Sequence, residues 1–336
     1  MSLLWMSGFE GGVDDFDVRS SHVSSTPGIK RSGAYSFRRS YSGGGTLGVK
    51  YIPNTTDLYG QVATYRVASG TRNFPLVSLS DGTTGAFRIL IDSMYCPYME
   101  VPSGTLAGAT SLTSIPTTTW VCYEFHFKIH PTEGVAEVRA DGQTICYYQG
   151  KTDFISYVSQ VYIGSVDDDW YVDDIVLNDS TGSFNNSWTG CQYIVYLPVS
   201  ADGSITQWTP TPAGLTHYTA LDEIIKSASE YVSTLNSTDE DFFQLSNLPA
   251  AATAIISVQT CLWARKSSAT STLPNVLTGI LTSGITTWST PLWLLPDTFT
   301  PDYSSLRVNW DHNPVTGHRW TVDEINDLHI GIKAST

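Results

Sequence analysis

The sequence predicts an all-β protein built from two β-sandwich domains. Charged residues make up only 15% of the 336 residues, whereas 41% are hydrophobic and 12% are aromatic. That composition favours β-structure and turns over long salt-bridged helices. Short apolar runs separated by turn residues recur along the whole chain. A chain of this length exceeds the usual size of one domain, so we expect two hydrophobic cores.

Strands in the first half are predicted by six apolar or aromatic runs. These runs are residues 60–67, 76–79, 86–91, 120–130, 135–140 and 160–164. Asp81-Gly82 and Asp141-Gly142 predict hairpin turns, because glycine tolerates the positive φ that tight turns require. Residues 120–148 therefore predict a three-stranded antiparallel meander of the kind found in sandwich sheets.

Residues 167–179 predict the closing strand of the first domain, paired with the opening segment GFEGG at residues 8–12. Asp173 and Asp174 interrupt its otherwise apolar faces. A buried carboxylate costs several kcal/mol unless it is paired, so at least one of them must have a partner. Residues 167–169, three further aspartates, predict a solvated turn.

A structural calcium ion is one candidate partner for these acids. Glu10 on the first strand and Asp173 or Asp174 on the last strand could converge, because first and last strands commonly pair in such domains. Carboxylate oxygens are ligands that calcium prefers. The alternative is that the three acids accept backbone hydrogen bonds or lie in solvent at the sheet edge.

The small polar stretch at residues 180–186 marks the predicted boundary, with domains at 1–182 and 183–336. Strand candidates in the second domain, which predict another sandwich, are residues 193–197, 242–245, 254–264, 275–281, 289–295 and 306–310. Thr321 and Glu324 have the spacing of a capping box and predict a short C-terminal helix. Residues 220–235 fit either a helix or a strand with turns.

Charge and cysteine content exclude several classes. A net charge of −14 disfavours nucleic acid or an anionic membrane as partner, and the small basic cluster of Arg31, Arg38 and Arg39 predicts a solvated strand edge. The five cysteines are odd in number and match no zinc pattern. We expect buried free thiols and folding in a reducing cytoplasm. The N-terminus has neither a basic segment nor a long apolar run, so no signal peptide or membrane anchor is expected.

Enzymatic chemistry is not predicted. Glu124, His126 and Lys128 share one face of a strand, but glycoside hydrolysis needs a pair of carboxylates, and this strand carries only one. These residues predict the solvent face of an outer strand. No Gly-x-Ser-x-Gly elbow is present, and His312, His318 and His329 predict surface loops. Tyr95, Tyr98, Tyr147, Tyr148 and Trp170 are candidates for sugar stacking, although strand aromatics more often fill cores.

An ordered set of segments resembles a family of tailed-bacteriophage virion proteins. They are WMSGFEGG, ADGQTI, YVDDIVLNDSTGSFNNSW, ADGSITQWTP, SEYVSTLNSTDEDFFQLSNLP and RWTVDEINDLHIGIK. The resemblance covers nearly the whole chain. It implies an N-terminal concanavalin-A-like or laminin-G-like jelly roll followed by a phage-specific β-sandwich domain, and it brings no catalytic residues.

The resemblance further implies a non-enzymatic structural protein on the exterior of a virion assembled in the bacterial host cytoplasm. A tail fibre or adhesin contacting host surface glycans is the first expectation, and a capsid decoration or head-fibre protein is the alternative. A polysaccharide depolymerase is the third candidate. The expected partners are other virion proteins, the chain itself as a homotrimer, and a host glycan. No cofactor is expected apart from the structural calcium ion at Glu10, Asp173 and Asp174.

Overall fold

The computed structural model describes residues 2–10, 12, 15–19, 23–39, 48–67, 74–101, 104–110, 114–164, 170–223, 227–266, 275–293 and 304–335. The predicted turn at residues 167–169 lies outside them. The chain divides into two compact units, Met1–Val195 and Tyr196–Thr336. The division thus falls after Val195 and not after residue 182, because residues 183–195 pack on the first unit.

The first unit is a β-sandwich of jelly-roll type. Its strands are β1 (Leu3–Ser7), β2 (Val18–Arg19), β3 (Val23–Thr26), β4 (Ser36–Arg39), β5 (Gly48–Thr55), β6 (Asp57–Arg66), β7 (Phe74–Ser80), β8 (Gly85–Ile91), β9 (Pro97–Val101), β10 (Gly104–Thr110), β11 (Trp120–Lys128), β12 (Gly134–Ala140), β13 (Gln143–Gly150), β14 (Val158–Ile163) and β15 (Trp170–Asp179).

These strands form two sheets. The eight-stranded sheet has the order β13-β12-β11-β6-β15-β4-β3, with β1 also pairing with β15, and the seven-stranded sheet has the order β10-β9-β8-β7-β14-β5-β2. The predicted meander is confirmed as β11, β12 and β13. Its turn at Asp141 and Gly142 has φ values of 46° and 80°, as a tight hairpin requires. The first strand does pair with the closing strand, but through Leu3–Ser7 of β1. The predicted partner, GFEGG at residues 8–12, lies just beyond this pairing.

The core lies between the two sheets. Phe125 and Phe127 of β11 are fully buried in it, and the Phe127 ring stacks on that of Phe87 with 5.1 Å between centroids. Gly60 is required opposite Phe125, because a Cβ there would lie 2.1 Å from Phe125 Cζ. Side chains alternate along a strand, so Glu124 and His126 lie on the opposite surface, which we call the outer face.

The second unit is also built of β-structure with one short helix. Its elements are β16 (Val199–Thr206), β17 (Thr209–Thr211), a 3₁₀ turn (Tyr218–Ala220), β18 (Tyr231–Ser233), β19 (Glu240–Leu245), β20 (Val258–Ala264), β21 (Asn275–Thr282), β22 (Ile285–Trp288), β23 (Leu292–Trp293), β24 (Ser304–Trp310), α1 (Val322–Asn326) and β25 (His329–Ser335). A six-stranded sheet, β16-β19-β25-β21-β22 with β23 on β21, is joined by the pairs β17-β18 and β20-β24.

One face of the six-stranded sheet carries the core of the second unit. Ile280 of this sheet packs in a buried cluster with Trp310 of β24 and Ile325 of α1. The predicted capping box is confirmed: Thr321 accepts a hydrogen bond from the Glu324 backbone N–H, and the Glu324 side chain accepts one from the Thr321 backbone. The predicted strand at residues 193–197 is not formed. No helix in the described part of the chain is long and apolar enough to cross a membrane.

Candidate functional site

The three acids predicted to converge do lie near one another, around the loop at residues 31–35. Glu10 follows β1 and accepts hydrogen bonds from the Ala34 backbone N–H, at 2.9 and 2.8 Å to its two oxygens, and from that of Tyr35 at 3.4 Å. Its side chain is buried. Burial raises the pKa of Glu10 to about 7, and the backbone hydrogen bonds oppose the rise.

Asp173 and Asp174 lie in a β-bulge of β15 and are fully buried. Asp173 accepts hydrogen bonds from the backbone N–H groups of Arg31 at 2.8 Å and Ser32 at 3.3 Å. Asp174 has a φ of 48° and accepts from Arg31 Nη1 at 2.7 Å and from the Ile194 backbone N–H at 2.8 Å. The predicted partner for these carboxylates is therefore present, and it is the same loop.

The neighbouring negative charges also affect proton affinity. Burial and then the charge of Asp174 raise the pKa of Asp173 to about 8. Burial raises the pKa of Asp174 as well, and the opposing effects come from hydrogen bonds of Ser32 and Ile194 and from the Arg31 charge. Arg31 has a side chain only 9% exposed, so its predicted place on a solvated strand edge is wrong. Its guanidinium neutralises a buried carboxylate.

This geometry matches the alternative to calcium, in which the acids accept backbone hydrogen bonds. Within the described residues, no group of three or more His, Cys, Asp or Glu side chains is arranged to hold a metal ion. Calcium at Glu10, Asp173 and Asp174 stays a prediction. A bound ion would have to replace hydrogen bonds that the carboxylates already accept.

The outer face of the eight-stranded sheet carries rows of polar and aromatic side chains. Register places Tyr147 of β13, Glu137 of β12, His126 of β11 and Tyr59 of β6 side by side across four strands. The adjacent row contains Arg139 of β12, Glu124 of β11 and Gln61 of β6. Cross-strand neighbours on one face are in contact range, so these residues form a continuous surface.

An aromatic cluster lies in the first of these rows. The His126 ring stacks on that of Tyr59, with centroids 4.0 Å apart and planes 5° apart, and the Trp188 ring stands edge-on to both. His126 Nε2 contacts Asp57 Oδ1 at 2.7 Å. Burial raises the pKa of Asp57, but its hydrogen bond to His126 and the His126 charge outweigh that effect, so this pKa is lowered.

A charged pair extends the cluster toward the edge of the sheet. Arg139 Nε donates to Glu137 Oε1 at 2.8 Å, and Thr144 Oγ1 donates to the same oxygen at 2.7 Å. The Arg139 guanidinium lies 3.7 Å from the centroid of the Trp188 ring. Tyr147 stands beside Glu137 and is 47% exposed, so this end of the row is accessible.

Residues 185–194, which we call the covering segment, lie along the middle of the outer face. Asn178 Nδ2 donates to the carbonyls of Asn185 and Ser187. Gln61 Nε2 donates to the Gln192 carbonyl at 2.7 Å, and the Gln192 backbone N–H donates back to Gln61 Oε1 at 2.9 Å. These bonds hold Trp188 over the aromatic cluster.

A disulfide between Cys122 and Cys191 joins the covering segment to β11. The prediction that all cysteines are free thiols is therefore wrong for this pair. Spacing could not indicate it, because the two residues are 69 positions apart and meet only when the covering segment folds back on the sheet. Cys96 and Cys146 are buried thiols that form no disulfide, as expected, whereas Cys261, which also forms none, is exposed.

Glu124 lies beneath the covering segment. It is 3% exposed, and its Oε1 atom has no hydrogen-bond partner. Burial raises the pKa of Glu124, opposed by the Arg139 charge and a backbone hydrogen bond from Gly190. β11 has a neighbour on each side, so the predicted solvent face of an outer strand is wrong.

A second carboxylate, which glycoside hydrolysis requires and β11 does not carry, is supplied by the next strand. Glu137 of β12 is the residue opposite His126, and Arg139 is the residue opposite Glu124, which makes Glu124 and Glu137 diagonal neighbours. The two strands are joined by a short connection, so a search across β11 and β12 together could have found this pair.

The remaining candidates fall outside this cluster. Trp170 is part of the core of the first unit, and Tyr95 and Tyr148 pack against it. Of the five aromatics singled out from the sequence, Tyr147 is the one in the row beside Glu137. His318 is exposed in a loop of the second unit.

The similarity of this chain to known proteins is a similarity of fold. No family model matches the chain, and no curated protein does. Among solved structures, alginate lyase Aly36B is 15% identical with a TM-score of 0.37, covering 53% of this chain and 93% of that one. A Trypanosoma rangeli sialidase mutant with trans-sialidase activity is 13% identical with a TM-score of 0.34 over 46% of this chain. This chain spans 27% of that sialidase.

These similar structures are glycan-processing enzymes. They contradict the prediction of a non-enzymatic tail fibre, adhesin or head-decoration protein, and we withdraw it. With identities of 13–15% and TM-scores below 0.4, these similarities do not show that this chain has the same substrate or activity. The resemblance to phage virion proteins and the homotrimer stay predictions.

Proposed function

We propose that the outer face of the first unit binds a neutral oligosaccharide. The observation that carries the proposal is the aromatic cluster of Tyr59, His126 and Trp188 beside the Glu137–Arg139 pair. Sugar sites combine aromatic rings, which contact the apolar face of a pyranose, with a few fixed polar groups that orient its hydroxyls. Both components are present on the outer face, in two adjacent rows and the covering segment above them.

The polar side chains of Glu137 and Arg139, which lie in adjacent rows of the outer face, suit the hydroxyl groups of a sugar. Glu137 accepts hydrogen bonds, Arg139 donates them, and each is already oriented by the other. The exposed Tyr147 ring adds a contact at the edge of the sheet. A sheet face that carries polar side chains and aromatic rings across several strands suits a chain of sugars rather than a small cofactor.

The net charge of the protein indicates whether a neutral or an acidic glycan binds better. The chain carries −14, and a protein with that charge repels polyanions at long range. We therefore expect neutral oligosaccharides to bind more tightly than uronate-rich or sulfated ones of the same length.

Titration calorimetry against a panel of neutral and acidic hexasaccharides tests the proposal. Trp188→Ala and Tyr147→Ala should each weaken binding about tenfold, equivalent to about 1.4 kcal/mol. Tyr51→Ala is the matched control, because Tyr51 is 51% exposed but lies on β5 of the other sheet. The proposal fails if no hexasaccharide binds, or if the control variant weakens binding as much as the other two.

Glycosidic-bond cleavage is a second candidate, favoured by the diagonal pair Glu124 and Glu137. Burial raises the pKa of Glu124, whereas Glu137 faces the Arg139 cation. Two carboxyl groups in such different environments can take different roles, one as the general acid and the other as the nucleophile. Glu124 would donate its proton to the leaving oxygen while Glu137 attacks the anomeric carbon, and water would then release the sugar from Glu137 and return the proton to Glu124.

The covering segment lies between Glu124 and solvent, so cleavage requires it to move. Release of reducing ends should therefore appear only after reduction of the Cys122–Cys191 disulfide, and Glu124→Gln and Glu137→Gln should each abolish it. No release of reducing ends from any bound glycan, reduced or not, excludes cleavage and leaves binding as the function.

A further inference from the structure

A second site is indicated on the inner side of the first unit, at Arg66. This residue ends β6, and alternation along the strand places it on the same face as the buried Val62 and Leu58. Arg66 is 6% exposed. An arginine rarely lies inside a sandwich unless an anion accompanies it.

No anionic partner for Arg66 is present in the part of the chain that the structure describes. Its Nε and Nη1 atoms are buried without a hydrogen-bond partner. A buried charge whose partner is missing is strongly destabilising. Among the residues that the structure describes, no group offsets this cost.

The position of the guanidinium leaves its donors available. Its Cζ carbon lies over the Tyr95 ring, 3.7 Å from the ring centroid. The N–H groups point outward in the plane of the group and are not occupied by this contact.

Two further unpaired hydroxyls lie at the same end of the sandwich. The Tyr95 hydroxyl and the Thr64 hydroxyl are both buried and without a hydrogen-bond partner. Thr64 is two residues before Arg66 on β6, so it shares the inner face. Tyr95 is held in the left-handed region, with φ at 64°, by the Tyr95 N–H to Asp92 carbonyl bond and by the Ile115 N–H to Tyr95 carbonyl bond.

We propose that Arg66, Tyr95 and Thr64 bind a small oxyanion, of the carboxylate, phosphate or sulfate type. One full positive charge and two hydroxyl donors are the groups that such an anion requires. Water would supply hydrogen bonds to them but would not neutralise the charge. The site lies on the inner face of β6 and does not depend on glycan binding at the outer face.

Thermal unfolding of the full chain tests this site. The wild-type protein is compared with Arg66→Met in chloride and in acetate, phosphate or sulfate at equal ionic strength. Sulfate and phosphate stabilise most proteins by exclusion from their surface, so the readout is the difference between the two proteins. Arg88→Met is the matched control, because Arg88 is on the other sheet with a side chain 54% exposed.

We expect at least one oxyanion to raise the Tm of the wild type saturably, by about 3 °C or more beyond its effect on Arg66→Met. Arg88→Met should follow the wild type, and Tyr95→Phe should reduce the shift. The anion that saturates at the lowest concentration separates a carboxylate site from a phosphate or sulfate site. Parallel responses of wild type and Arg66→Met to every anion overturn the proposal.

A direct measurement covers the case in which Arg66→Met does not fold. Equilibrium dialysis of the wild-type chain against radiolabelled acetate, phosphate and sulfate should give about one bound equivalent of the preferred anion. Binding of none of the three would overturn the site without any variant.

Discussion

The Arg31 guanidinium donates to Asp174 at 2.7 Å, and both side chains are almost completely buried. The two residues are 143 positions apart, so their contact fixes the loop at residues 31–35 against the closing strand. Arg31 also donates to the Gln192 carbonyl at 2.8 Å and thereby holds the covering segment.

Replacing this arginine should be strongly destabilising. Arg31→Met leaves Asp174 buried without its cation, which costs about 3 to 5 kcal/mol. Urea unfolding monitored by fluorescence measures the change. Arg88→Met is the control, since an exposed ion pair such as Arg88 with Glu100 contributes about 0 to 1 kcal/mol. Equal effects of the two substitutions would show that the buried pair does not stabilise the fold.

Stability should fall as pH rises from 5 to 8. The pKa of Glu10 rises on folding from 4.5 to about 7, and that of Asp173 rises from 3.8 to about 8. Between these values the folded state holds more protons than the unfolded state, so the free energy of unfolding decreases with pH. Each pKa unit corresponds to about 1.4 kcal/mol, so the two shifts together give a loss of up to about 6 kcal/mol between pH 5 and pH 8.

Asp173→Asn checks the origin of that pH dependence. The amide cannot ionise, so the variant should show a smaller difference between pH 5 and pH 8 in urea titrations. Asp17→Asn, which removes a more exposed carboxyl, should keep the wild-type difference. An unchanged slope in Asp173→Asn would assign the effect to other groups.

Chelation should leave the first unit unaffected. Glu10, Asp173 and Asp174 accept hydrogen bonds from backbone N–H groups, so we expect the same Tm with EDTA and with millimolar calcium. The measurement is calorimetry at pH 8, where a metal site would be most ionised. A rise of Tm with calcium that is lost in Asp173→Asn would instead establish the ion predicted from the sequence.

Loss of the disulfide should free the covering segment. Cys191→Ser removes a crosslink that closes a 69-residue separation, worth about 4 kcal/mol in the chain-entropy model. Hydrogen exchange should increase at residues 185–194, and protease should cut there first. Cys146→Ser changes a buried cysteine that forms no disulfide and should leave exchange in that segment unchanged. Protection of residues 185–194 in Cys191→Ser would show that hydrogen bonds alone hold them.

Much of the fold could be predicted, because the sequence patterns that specify strands, turns and helix starts span only a few neighbouring residues. Asp141-Gly142 predicted a hairpin from two residues, and Thr321 with Glu324 predicted a helix start from four. Val172 and Ile175 around the two aspartates predicted a strand buried on both faces, and all ten residues of β15 are buried. Each of these patterns is enforced by backbone geometry within a few positions.

The candidate sites could be predicted only in part. The sequence placed Glu124 and His126 on one face of a strand but gave no information about which strand lies beside it. Glu137 became a neighbour through the register of β12, and Trp188 through the path of the covering segment. A pattern within one strand cannot specify either relationship.

The sequence by itself determined the all-β class, the meander, the closing strand and the need for a partner at Asp173 and Asp174. The tertiary structure alone decided that the partner is Arg31, that Cys122 pairs with Cys191, and that Arg66 is buried with no anionic partner among the described residues. The physical reason is distance along the chain. Alternation and turn chemistry act between neighbours, whereas charge pairing and burial depend on residues that only folding brings together.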